Sequence, residues 1–184
     1  MLFSTQKLKI YFFFWSLAFV LPIPTVCSQN SEVIDNITPK LAVEGNILPS
    51  FRFFTAIDSF LFTDKQLDPA KPILFFYFST KCPYCQDLTK EITQQIDSLH
   101  DIQIVMVSGH RRQSIAKYAE MFSLKDFPIT ILKDDEKRMH EYFDYQAVPM
   151  LRLYDKNRQL IYRQEGKLSV QNILKLFRQN IDNQ

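Results

Sequence analysis

Glycine is scarce in this chain, with three residues in 184. Cysteine is equally rare, and tryptophan occurs once. Neither sign of charge dominates, since 22 Lys and Arg face 20 Asp and Glu. Each shortage excludes something. Low glycine, with 46% hydrophobic and 14% aromatic residues, argues against disorder and for a packed core. A net charge of +2 makes no electrostatic case for nucleic acid as a partner. Three cysteines leave a zinc site without its second cysteine pair. There is no internal repeat and no low-complexity stretch. The length suits one domain with an appendage.

The appendage comes first. Lys7 and Lys9 precede an apolar run from Ile10 to Leu21 that contains Phe12, Phe13, Phe14, Trp15 and Phe19. The run is short for a bilayer span, which needs about 20 residues, and suits the apolar centre of a signal peptide. Pro22 and Pro24 end it, and Val26 with Ser28 forms a small-x-small cleavage pattern. Residues 1–28 are therefore expected to be a signal peptide, cut after Ser28. The mature chain then carries no net charge, because only Lys7 and Lys9 leave with the signal. Cys27 keeps two alternatives open: lipidation at that cysteine, or an uncleaved anchor. Either would associate the protein with a membrane. Residues 29–44 are polar and irregular, include Pro39, and read as a linker.

The centre of the chain is Phe75-Phe76-Tyr77-Phe78-Ser79-Thr80-Lys81-Cys82-Pro83-Tyr84-Cys85. It reads as a buried strand running into a helix, with two cysteines at the junction. Leu88, Ile92, Ile96 and Leu99 predict one apolar helical face. Pro83 suits the first helical position, where its missing N–H costs nothing. Cys82 then falls at the N-cap. Its sulfur faces free backbone N–H groups and the positive end of the helix dipole, both of which favour a thiolate. Cys85 lies one turn further in, placed to attack a mixed disulfide on Cys82. A lone C-x-x-C is also compatible with a chance pair, half a zinc site or a structural bridge. The strand-to-helix setting is what favours redox chemistry.

Other elements follow the same logic. Phe51, Phe53, Phe60 and Phe62 alternate around a turn at Ile57-Asp58-Ser59, which predicts a β-hairpin. Ile102 to Ser108 is a second buried strand, and makes a right-handed βαβ unit with the first. Arg111 to Phe122 is amphipathic, with Ile115, Tyr118, Ala119 and Phe122 on one stripe. Ile129 to Leu132 could form a further strand. Asp134 to Phe143 is expected to be a short charged helix with a solvated face. Val148 to Tyr154 and Leu160 to Arg163 predict an antiparallel hairpin. Ser169 caps a last helix with Val170, Ile173, Leu174 and Phe177 inward.

The order hairpin, βαβ, helical insertion, ββα resembles the thioredoxin fold, an α/β architecture with a mixed central sheet flanked by helices. More narrowly it resembles the exported TlpA/ResA-type thiol–disulfide oxidoreductases of the peroxiredoxin-like group. The motifs are Cys82-Pro83-Tyr84-Cys85, the opening Gly45 to Phe51, Phe143 to Pro149, and Leu153 through Gly166. The likeness spans roughly residues 45–180, so a single domain is expected over 45–184.

The resemblance implies catalysis by Cys82 and Cys85, which cycle through a redox disulfide. It implies a cis Val148–Pro149 bond whose Val148 backbone pairs with substrate, flanked by Pro83, Tyr84 and Lys81. It also implies protein thiols and disulfides as partners, a membrane electron donor, a periplasmic location and no cofactor. Three positions depart from relatives. Lys81 replaces a common Trp, Phe76 replaces the buried Asp of thioredoxin, and Met150 follows the proline in place of a common Thr. The Pro83-Tyr84 pair is the one familiar from glutaredoxins.

Competing functions have their own signatures. Peroxiredoxins carry P-x-x-x-T-x-x-C, where this chain has Phe75 and Ser79, so the proline is missing. Copper delivery would recruit His100, His110 or His140, each expected to be exposed. A redox-inactive binding module is the remaining alternative.

Overall fold

The computed structural model describes residues 47–143 and 145–182. The expected signal peptide and linker, Cys27, Gly45, Asn46 and Asp144 lie outside the described residues. Among the described residues, no helix is long and apolar enough to cross a membrane.

The strands are β1 (Arg52–Thr55), β2 (Leu61–Thr63), β3 (Ile73–Tyr77), β4 (Gln103–Ser108), β5 (Ile129–Lys133), β6 (Met150–Tyr154) and β7 (Leu160–Glu165). The helices are α1 (Pro83–Gln94), α2 (Arg112–Met121), α3 (Met139–Tyr142) and α4 (Val170–Asp182). One mixed sheet runs in the order β2-β1-β5-β4-β3-β6-β7. β3, β4 and β5 are parallel, joined through α1 and α2. β6 lies antiparallel to β3, and β7 to β6. The expected N-terminal hairpin is β1–β2, antiparallel, and β1 continues the sheet onto β5. The insertion between β4 and β6 thus contributes a strand as well as helices.

Strand alternation divides the core into two clusters. Leu74 and Phe76 of β3 and Ile104 and Met106 of β4 meet Leu88 and Ile92 of α1, Ile115 of α2 and Ile173 of α4. Ile73, Phe75, Val105 and Val107 face the other way, against Phe51, Phe53, Met139 and Phe143. Burial on both faces explains the uninterrupted apolar runs of β3 and β4. Each fully buried Phe or Ile of this kind stabilises the fold by roughly 1.5–3 kcal/mol.

Three local expectations are corrected. The face from Leu88 to Leu99 is not one helix. α1 stops at Gln94, Gln95 turns at φ −119° and ψ 23°, and residues 96–99 form a 3-10 turn that still buries Leu99. The stretch 134–143 is helical only in α3, and its first charge is not solvated. Asp134 is 1% exposed and its carboxylate accepts the Arg138 N–H at 2.7 Å and the Met139 N–H at 3.3 Å. In α4, Leu176 is buried while Leu174 is only partly so.

Scarce glycine leaves left-handed positions to other residues: Ser59, Ser123, Lys137 and Arg158 all have positive φ. Arg158 sits in the β6–β7 turn, where its guanidinium donates to the carbonyls of Lys71 and Asp68 at 3.1 and 2.7 Å. Its own carbonyl accepts the Leu48 N–H at 2.8 Å.

Candidate active site

Parallel strands end at the same side of a sheet, and ligands of open α/β sheets gather outside those carboxyl ends. Here the ends of β3, β4 and β5 bring three loops together. The antiparallel β6 starts at that same side, so residues 148–149 join them.

Cys82 is the N-cap of α1, and Pro83 is its first residue. The cap residue has extended backbone (φ −84°, ψ 118°), which turns its side chain back over the first turn. The Cys85 N–H donates to Cys82 Sγ at 3.4 Å. The Cys82 thiol in turn points at the Val148 carbonyl oxygen, 3.6 Å away. The Val148–Pro149 bond is cis. Cys82 is half-buried and Cys85 is fully buried, and both are free thiols. Burial, and then its hydrogen bond with Cys82, pushes the Cys85 thiol well up, against a smaller opposing contribution from the Ser79 backbone.

Lys81, Pro83 and Tyr84 are exposed beside Cys82, with Tyr84 at 56%. Val148 is half-buried and Pro149 is buried. Phe76 and Met150 are fully buried, so the departure from thioredoxin's acid is filled by hydrocarbon. Beneath Cys85, the Thr89 and Tyr118 hydroxyls approach its carbonyl at 2.8 and 3.0 Å and lie 2.7 Å from each other. Burial pushes the Tyr118 phenol well up, so it remains a donor.

Of the three histidines, His110 is a correction. It is half-buried against the loop before Cys82. Nε2 lies 3.0 Å from Ser79 Oγ and Nδ1 lies 3.1 Å from Thr80 Oγ1. Burial first, then the charges of Lys81 and Lys133, hold its imidazole below the usual histidine range. A signal was present: His110 follows β4, whose end neighbours that of β3. His100 and His140 are exposed, the latter stacked on Tyr145 with centroids 4.2 Å apart. Among the described residues, no three His, Cys, Asp or Glu side chains are grouped to hold a metal.

A second residue escaped notice. Glu165 Oε2 accepts the N–H groups of Gln146 and Ala147, each at 2.9 Å. Only its place on the closing hairpin was legible beforehand.

The family described as a thioredoxin-like domain matches residues 63–181. No curated protein sequence matches the chain. Among solved structures it is similar to the thioredoxin domain of a thiol-disulfide oxidoreductase from Bacteroides vulgatus (TM-score 0.63, 15% identity, 74% of this chain and 96% of that one). It is also similar to a secreted disulfide oxidoreductase of Mycobacterium tuberculosis (TM-score 0.59, 14% identity, covering 70% and 95%). A third is StoA from Bacillus subtilis (TM-score 0.56, 11% identity, covering 71% and 98%). At such identities the likeness concerns the fold.

Proposed function

For a chain that belongs to the thioredoxin-like family, as the match over residues 63–181 establishes, we propose thiol–disulfide exchange with protein substrates through Cys82 and Cys85. The observation that carries this reading is the contact set of one sulfur. Cys82 Sγ sits at a helix N-cap, 3.4 Å from the Cys85 N–H and 3.6 Å from the carbonyl that precedes the cis proline.

In the reduced protein the Cys82 thiolate attacks one sulfur of a substrate disulfide. A bond forms between the two sulfurs, the substrate S–S bond breaks, and the released thiolate takes up a proton. Cys85 then loses its proton and attacks the Cys82 sulfur. The Cys82–Cys85 bond closes and the second substrate thiol leaves. Two electrons have passed from the protein dithiol to the substrate. An external dithiol donor, expected to be membrane-bound, returns them. Lys81, Pro83, Tyr84 and Val148 form the surface the substrate meets.

Reduction of exported proteins is the favoured direction. Export is supported by the signal-like residues 1–28, by the compartment such a signal implies, and by the secreted state of the M. tuberculosis neighbour, while reduction follows from the resemblance to the TlpA/ResA-type proteins. The functional domain extends over residues 45–184.

Equilibration in glutathione buffers of graded potential tests this. The wild-type protein is expected to show one reversible two-electron transition, absent in Cys82→Ala and Cys85→Ala, and to reduce insulin. Absence of any transition in the wild type would refute it.

A further inference from the structure

Resting on that reading, we propose that Glu165 is the positioning residue for the substrate strand. It acts by fixing the loop that presents Val148.

Residues 145–149 contain no helix or strand, so their backbone groups need partners from elsewhere. Two consecutive N–H groups, those of Gln146 and Ala147, converge on one carboxylate oxygen at 2.9 Å each. Both residues are exposed, so water would otherwise take these donors and the loop would be held less firmly. Glu165 ends β7 opposite Met150, the residue after Pro149, which puts its side chain within reach of the loop. The Gly166 N–H closes the arrangement by donating to the Pro149 carbonyl at 2.9 Å. Gly166 has φ 79°, a left-handed conformation that glycine adopts without strain. The other carboxylate oxygen lies 3.9 Å from the guanidinium of the buried Arg152.

An ionised acceptor suits this place. Charge-assisted hydrogen bonds are shorter and about twice as strong as neutral ones. The loop so held ends at Val148, whose carbonyl faces Cys82 Sγ. Glu165 touches neither sulfur. Its effect is on where an extended substrate docks, so large substrates should depend on it and small disulfides should not.

Single-turnover reduction of a short cyclic peptide disulfide, beside that of hydroxyethyl disulfide, tests this. Glu165→Ala is expected to raise the half-saturating peptide concentration about tenfold. The limiting rate and the hydroxyethyl disulfide rate should stay within about twofold of wild type. Glu165→Gln retains an acceptor oxygen and should fall between. Amide exchange at Gln146 and Ala147 should accelerate in step. Unchanged half-saturation in a folded variant overturns the proposal, as does equal slowing with both substrates. If Glu165→Ala does not fold, Glu165→Gln decides by the same criteria. A wild-type protein that reduces neither disulfide would refute the oxidoreductase reading itself, which is a separate result.

Discussion

The phenol oxygen of Tyr77 lies 2.8 Å from the point where a β-carbon on residue 109 would begin, so Gly109 has no room for a side chain. The Tyr77 ring also packs edge-on against Tyr145, with centroids 5.3 Å apart. Tyr77 thus ties the loop bearing His110 to the segment leading into the cis proline. Gly109→Ala should destabilise the protein by about 1–3 kcal/mol through overpacking. Tyr77→Phe removes the blocking oxygen, so the double variant should lose less than the two single losses together. Urea unfolding of the four proteins measures this, and simple additivity would contradict it.

His110 should make stability depend on acid. Its folded pKa is lowered, so the unfolded chain binds the proton more readily. Stability is then full above the unfolded value of about 6.5 and falls as pH drops through the lowered folded value. His110→Gln should flatten that slope. An identical pH dependence of the urea midpoint in both proteins would contradict this assignment.

Cys85 should act at the other end of the scale. Its folded pKa is raised, so the folded reduced protein holds a proton that the unfolded chain gives up from about pH 8.5. Stability of the reduced protein should therefore decline as pH rises beyond that point, and Cys85→Ala should lessen the decline. In the same protein, iodoacetamide should modify half-buried Cys82 quickly and fully buried Cys85 only on unfolding. Mass spectrometry of timed samples distinguishes one label from two, and simultaneous labelling would count against it.

Tyr118→Phe deletes a hydroxyl shared by Thr89 and the Cys85 carbonyl. The carbonyl keeps its bond from Thr89, so no buried acceptor is orphaned. A loss of about 1 kcal/mol is expected from urea unfolding. A loss several times larger would mean the hydroxyl carries more of α1 than these contacts imply.

Much of the scaffold could be read before the structure. The change of period at Pro83 located the start of α1, and the aromatic alternation around residues 57–59 located β1 and β2. The end of α1 was harder. Leu99 stays on the buried side of the following 3-10 turn, so the apolar spacing hides the break at Gln95. Asp134 looked like a surface charge because its partners, the backbone N–H groups of residues 138 and 139, leave no mark on side-chain pattern. His110 and Glu165 act on loops 31 and 19 residues away in sequence. Hydrophobic periodicity reports which face of an element is buried. It does not report which loop will meet which.

The turn closing β6 on β7 has a further consequence through Arg158. That turn lies at the end of the sheet away from the cysteines, and it is there that Leu48 is fastened as the chain enters the domain. The contact that fastens Leu48 and the contacts that hold Cys82 thus sit at opposite ends of the β3–β6 pair and share no residue.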